Sequence, residues 1–375
     1  ISRVVHDLAQ EVGSRGNEIH VVTCGEQGCK AMEKDRNVFV HRVGTYEVNP
    51  VNFVDWVLQL NFALLEQSCR IIHQTGRFDI IHADDWIVAF ASRVLKHTYL
   101  TPMVSTVHAT ESGRNWGIHN DTQRYINDLE WMMTYESWKV VVNSEYMKSE
   151  VKNLFGLPED KVCKVPNGVY PDKFSECGRD YGFRRKFATD YEKIVFFVGR
   201  LVHEKGAHVL VDAMPKILNH YNGVKLVIAG KGPQTDYLKG RARELGVWDK
   251  VYFTGYVSDE DLNRLYKCAD IAVFPSLYEP FGIVALEGMI AGIPIVVSDT
   301  GGLGEIVQHG VDGMKSYAGN SNSLADSILE LLFNPEKAQD MGRKGAEKAR
   351  EHYNWNRISQ MMLGIYNEVL DQSKT

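Results

Sequence analysis

What most constrains the fold of this chain is an alternation that runs almost from end to end. Short runs of branched apolar residues are separated by longer stretches with helical spacing. In the first half the runs are "EIHVVT", "NVFVHRV", "FDIIHA", "PMVSTVHA" and "WKVVVNS". In the second they are "KIVFFVGR", "VKLVIAG", "KVYFTGYV", "DIAVFPS" and "IPIVVSD". Such alternation predicts an α/β protein with parallel sheets covered by helices on both faces. The second set is apolar throughout and bounded by glycines, as expected of strands buried on both faces of a doubly wound sheet.

The chain has 375 residues, more than one hydrophobic core usually serves, so two domains are expected. The first is read over 1–174, ending in the turn residues of "CKVPNGVYPDKF". A polar linker with a short helix follows over 175–192, and the second domain over 193–353. Segment 354–375 carries Trp355, Ile358, Met361, Met362, Ile365, Tyr366 and Val369, a stripe too broad for a free surface. It is expected to pack back across the first domain. The opening "ISRVVHDLAQEV" is a helical pattern leading into a strand, which reads as an α/β unit whose own first strand is missing.

Charge and composition exclude some classes. A net charge of −6 argues against nucleic acid, since phosphate binding normally leaves a basic face. No apolar run approaches the roughly 18 residues of a membrane span. The cysteines are scattered, and Cys24 and Cys29 have no second close pair to complete a zinc site. Reduced thiols in a cytoplasmic protein are the expectation.

The segment most suggestive of chemistry is "YEPFGIVALEG", Tyr278–Gly288. A strand, "DIAVFPS", leads through a proline-marked loop into a helix opening near Gly282. The first amides of a helix lack intrahelical partners and, with the helix dipole, make a seat for phosphate. Glu279 precedes that seat and Glu287 follows it on the helix. Two carboxylates flanking a diphosphate could meet the hydroxyls of a sugar and of a ribose. Spacing alone equally allows an acidic residue favoured by the dipole and a surface glutamate.

In "VGRLVHEKG", Arg200 and Lys205 follow the carboxyl end of a buried strand, where two cations suit a departing diphosphate. Gly230-x-Gly232 lacks the third glycine of a dinucleotide fingerprint and does not point to NAD. Gly301 and Gly302, after another strand, could bring backbone close to a ligand or simply make a turn. His108 and Asp85 each stand just past a strand, a position more often structural than catalytic when taken alone. Asp259-x-Asp261 reads as the acidic first turn of a capped helix rather than as metal ligands.

Taken together, "EPFGIVALE", "GRLVHEKG", "AGKGP" and "GGLGEIV" resemble the motifs of the retaining glycosyltransferases of family four and relatives, over nearly the whole chain. "HADDW", the segment "STVHATESGRNWGIHNDTQRYINDLEWMMTYESW" and "VPNGV" are similar to the glycogen and starch synthase branch. The resemblance implies a GT-B fold, two Rossmann-like domains facing a cleft, with no metal ion and no cofactor, the nucleotide sugar being a substrate. It implies Arg200, Lys205 and the backbone at Ile283 and Val284 on the leaving diphosphate, and Glu287 on the ribose. Glu279 would lie by the donor sugar, and the amides of Phe281 and Gly282 on its hydroxyls. His108 would stand near the sugar's reacting face and Asp85 on the acceptor side.

Two departures stand out. The family normally begins with a strand and a glycine-rich loop ahead of the first helix, and synthases commonly have histidine where this chain has Asp84. The implied partners are a nucleotide diphosphate glucose, with ADP and UDP both open, and an α-1,4-glucan. The alternatives are a lipid-linked or small sugar acceptor, or an inactive sugar-nucleotide-binding protein.

Overall fold

The computed structural model describes residues 1–26, 28–46, 48–174 and 178–374. It divides into two compact units, Ile1–Asn167 with Trp355–Thr375, and Gly168–Asn354. The start of the expected linker, 175–177, lies outside the described residues.

The first unit runs α1 (Ser2–Gly13), β1 (Ile19–Cys24), β2 (Met32–Asp35), β3 (Val38–Val43), α2 (Phe53–Thr75), β4 (Ile81–Asp84), α3 (Ala89–Tyr99), β5 (Met103–Val107), α4 (Glu111–Asn115), α5 (Asp121–Glu136), β6 (Lys139–Val142), α6 (Glu145–Phe155) and β7 (Val162–Lys164). Helices α2, α4, α5 and α6 start where short polar side chains take an orphan amide. Asn52 accepts from the Asp55 amide at 2.9 Å, Asn120 from that of Gln123 at 2.9 Å, and Ser144 from that of Met147 at 3.1 Å. Strands β4, β5, β6 and β7 pair in that order, all parallel, while β3 lies between β1 (parallel) and β2 (antiparallel) in a second sheet. The β4–β7 sheet is the core of this unit: Met103, Val104, Val107, Val140, Val141 and Val142 are wholly buried.

The second unit runs α7 (Tyr181–Arg184), β8 (Lys193–Val198), α8 (Ala207–His220), β9 (Val224–Ala229), α9 (Thr235–Glu244), β10 (Val251–Gly255), α10 (Asp259–Cys268), β11 (Ile271–Phe274), α11 (Ile283–Ile290), β12 (Ile295–Ser298), α12 (Gly301–Ile306), β13 (Met314–Ser316), α13 (Ser321–Phe333) and α14 (Pro335–His352). All six strands are parallel, in the order β10-β9-β8-β11-β12-β13. Alternation along β8 feeds two cores. Val195 and Phe197 join the cluster under α8 and α13, whereas Ile194 and Phe196 join the cluster under α10 and α11. Chain order proceeds outward from β8 in one direction and from β11 in the other. The topological switch point of the sheet therefore lies between them, and in open α/β sheets ligands sit beyond the strand ends there.

The last helix, α15 (Trp355–Gln372), belongs to the first unit. Trp355, Ile358, Met362 and Val369 are buried, although Met361 of the same expected stripe is exposed. Arg15 donates to Ser359 Oγ at 3.1 Å and to the Asn356 carbonyl at 3.0 Å, and Lys139 pairs with Glu368 at 2.6 Å. The units divide ahead of the turn residues because Val169 pairs with the strand-like backbone before α15, its amide donating to the Tyr353 carbonyl at 2.7 Å.

Candidate functional site

Both elements that bracket the switch point end in the residues the sequence singles out. After β8 the chain passes through Gly199 and Arg200 into a 3₁₀ turn over His203–Lys205. After β11 it passes through Pro275 and Ser276 to Glu279 and into α11. The two loops are stitched together: the Leu277 amide donates to the Glu204 carbonyl at 2.8 Å. That stitch requires Gly206, whose φ is 68° and whose added Cβ would stand 1.9 Å from the Pro275 carbonyl oxygen.

Lys205 Nζ donates to Glu279 Oε2 at 2.7 Å, and Ser276 Oγ donates to the same oxygen at 3.1 Å. Glu279 is 7% exposed, so its carboxylate is held, not solvated. Its backbone is held too, by the Gly302 amide donating to the Glu279 carbonyl at 2.9 Å. The loop after β12 comes this close because position 301 is glycine: a Cβ there would lie 2.0 Å from the Glu279 carbonyl oxygen. Gly301 and Gly302 thus bring backbone to the Glu279 loop as well as opening α12.

Gly282, at φ 111°, sets the turn into α11. The amides of Ile283 and Val284, first in that helix, have no carbonyl one turn back inside it to receive them. Phe281 is buried, with its ring edge-on to Tyr353 at 6.1 Å. Arg200 behaves differently from Lys205. Its side chain is 71% exposed and, among the described residues, forms an ion pair with Glu204 alone, at 3.6 Å.

Glu287 is not a surface glutamate. It is buried, with Oε1 paired to Lys173 Nζ and Oε2 receiving the Tyr266 hydroxyl at 3.1 Å. Neither partner is signalled by the sequence: Lys173 lies in a turn far upstream, and Tyr266 looks like an ordinary core residue of α10. The ends of β8, β9 and β10 also line a cavity of about 470 Å³ whose walls include Leu201, Gly230, Lys231, Gly232 and Gly255. Asp259 and Asp261 open α10, where Ser258 Oγ accepts the Asp261 amide at 3.2 Å.

Asp85 and His108 belong to the first unit, and the structure brings them together. The Asp85 carboxylate accepts the His108 amide at 3.0 Å and lies 3.9 Å from Arg114. Asp85 is only 3% exposed, and its backbone takes φ 62°, ψ 167°, a conformation that costs a non-glycine residue about 1–3 kcal/mol. It therefore acts on the loop that carries His108, with no open face of its own.

Asp84, the residue that departs from the family pattern, hydrogen-bonds His108 Nε2 at 3.0 Å. Burial raises the proton affinity of Asp84, but the field of His82 and the bond from His108 outweigh it and hold the carboxyl below its ordinary range. At the start of α4 the Glu111 amide donates to both oxygens of Glu130 on α5, at 2.9 and 3.1 Å. Burial pushes the Glu130 carboxyl up to about 8, against that bond and the nearby Arg114.

Sequence comparison matches two profiles along the chain. Glycosyltransferase Family 4 covers residues 1–173, and Glycosyl transferases group 1 covers residues 182–348. An uncharacterised glycosyltransferase of Methanocaldococcus jannaschii is 37% identical over 369 residues, covering 97% of this chain and 93% of the relative. Glycogen synthase of Mycobacterium tuberculosis is 30% identical over 380 residues, covering 98% and 90%. Among solved structures, sucrose-phosphate synthase from Thermosynechococcus elongatus superposes with a TM-score of 0.85 at 22% identity, covering 98% of this chain and 93% of that one. With two Rossmann-like units, relatives along its whole length and both profiles matched in order, the chain belongs to the GT-B glycosyltransferases of family four and its relatives.

Proposed function

We propose that this chain transfers glucose from a nucleotide diphosphate glucose to an α-1,4-glucan, retaining the anomeric configuration and using no metal ion. One observation carries the reading: at the switch point between β8 and β11, the Lys205–Glu279 pair stands in the loops that meet at the N-terminus of α11. That arrangement supplies fixed positive charge for a departing diphosphate and a carboxylate for a sugar, side by side.

In the reaction the bond from C1 of glucose to the β-phosphate oxygen breaks, and negative charge builds on that oxygen. Lys205, Arg200 and the amides of Ile283 and Val284 meet it, and stabilising charge that develops in the transition state lowers the barrier most. The glucan hydroxyl attacks from the same face and passes its proton to the departing phosphate oxygen, so the products are the extended glucan and the nucleoside diphosphate. Glu279 and the amides of Phe281 and Gly282 hold the donor sugar. His108 meets its reacting face, and Asp85 serves the acceptor side through the His108 backbone. Glu287, oriented by Lys173 and Tyr266, takes the ribose. The cavity walled by Gly230 and Gly232 takes the base, largely against backbone, which is consistent with either ADP or UDP.

Among the described residues no helix is long and apolar enough to cross a membrane. The donor would be met in the cytoplasm, with no nucleic acid involved. A panel of ADP- and UDP-linked sugars offered with glycogen, with a small sugar phosphate, and with no acceptor tests the reading. Glucose incorporated into glycogen supports it. Transfer only to the small acceptor overturns the glucan part, and donor binding without turnover overturns the enzymatic part.

A further inference from the structure

Asp84 closes β4, and His108 follows directly on β5; these neighbouring parallel strands bring both side chains to one small cavity at their carboxyl ends. The side chains are 22% and 11% exposed, and His108 Nε2 lies 3.0 Å from Asp84 Oδ1. An ionised carboxylate only accepts, so Nε2 must carry the hydrogen. The backbone of the same residue is fixed by the bond from its amide to Asp85 Oδ1. The ring is thus anchored at Nε2, and among the described residues no hydrogen bond engages Nδ1.

We propose that Asp84 is a positioning residue for His108, holding the Nε2–H form so that the Nδ1 edge faces the donor sugar. The role toward the sugar rests on the proposed function; the Asp84–His108 pairing does not.

The groups around the ring favour a proton on it. From β4 come His82 and the acidic Asp84, and from the residue just past it the acidic Asp85. From α15 comes Tyr366, whose hydroxyl lies 2.5 Å from His82 Nδ1, while His82 Nε2 lies 2.7 Å from Thr106 Oγ1. Burial lowers the proton affinity of His82. Arg114 stands behind Asp85. Burial alone would lower the His108 pKa, but the hydrogen bond to Asp84 and the fields of Asp85 and Asp84 outweigh it and raise it. As an imidazolium, His108 donates from Nδ1 as well, toward an oxygen of the substrate. Histidine at position 84, as synthases commonly have, brings no carboxylate.

The test reads the ring directly and then the reaction. Imidazole nitrogen NMR of the whole protein, with the signal assigned by its loss in His108→Gln, should show Nε2–H and a titration above the ordinary histidine value of about 6.5. In Asp84→Asn the titration should fall. A wild-type ring with hydrogen on Nδ1, or one titrating below the ordinary value, overturns the pairing.

In the glycosyl-transfer assay, kcat/KM should decline as pH rises through the His108 titration. Asp84→Asn and Asp84→His should move that decline to lower pH, with less than about a twofold change in donor KM. An NMR shift with an unmoved pH profile overturns the positioning role. An NMR shift with no transfer from any donor upholds the pairing and overturns the proposed function.

Discussion

At the residue scale, Lys205 and Arg200 share a proposed task but not an environment, and that separates their variants. Each alanine substitution should lower kcat with little effect on donor affinity, by about 3–4 kcal/mol in barrier for a lost charge-stabilising contact. Lys205→Ala should also cost the fold about 2 kcal/mol, because it strips a charged hydrogen bond from a buried carboxylate. Arg200→Ala should leave thermal unfolding unchanged, since its side chain is 71% exposed. Single-turnover kinetics and melting of both variants check this; near-normal turnover in either removes its assignment.

Much of this scale was legible in the sequence. Glycines, cations and carboxylates at strand ends announce themselves by type and position. What could not be read were partners from distant segments: Lys173 and Tyr266 on Glu287, Lys205 on Glu279, and Asp84 on His108. Only the folded sheet brings them together.

At the element scale, strands rich in branched residues, such as "KIVFFV" and "VKLVIA", were legible from their runs. Three short ones were not. β7 (Val162–Lys164) and β13 (Met314–Ser316) are too short to show a period, and β2, "MEKD", is a charged edge strand that hides its own pattern. The packing of α4 on α5 offers a pH test. Glu130 of α5 titrates at about 8 when folded, against an ordinary 4.5. Between those values the folded state binds more protons than the unfolded state, so stability falls as pH rises from about 4.5 through about 8 and then levels. Glu130→Gln should flatten that slope and leave the protein more stable than wild type at about pH 9. Melting across the range checks it; an unchanged slope would mean that the carboxyl is ionised in the fold.

At the scale of the whole molecule, the parallel double-wound plan followed from alternation, and the return of α15 to the first unit followed from the width of its stripe. Trp355, Ile358, Met362 and Val369 are buried side chains worth about 1.5–3 kcal/mol each against exposure. Ending the chain at residue 354 should therefore abolish the unfolding transition of the first unit while that of the second persists, as calorimetry would show. Loss of both transitions would mean that the second unit also depends on the helix.

The central claim is retaining transfer driven by protein charge alone, and the linkage formed is its most direct readout. The protein should be incubated with α-linked ADP- or UDP-glucose and glycogen in a strong chelator, and the new bond read by proton NMR. α-1,4-linked glucose should form, with one nucleoside diphosphate released per residue added; a β-linkage, or transfer that stops in chelator and returns with magnesium or manganese, would overturn metal-free retaining transfer.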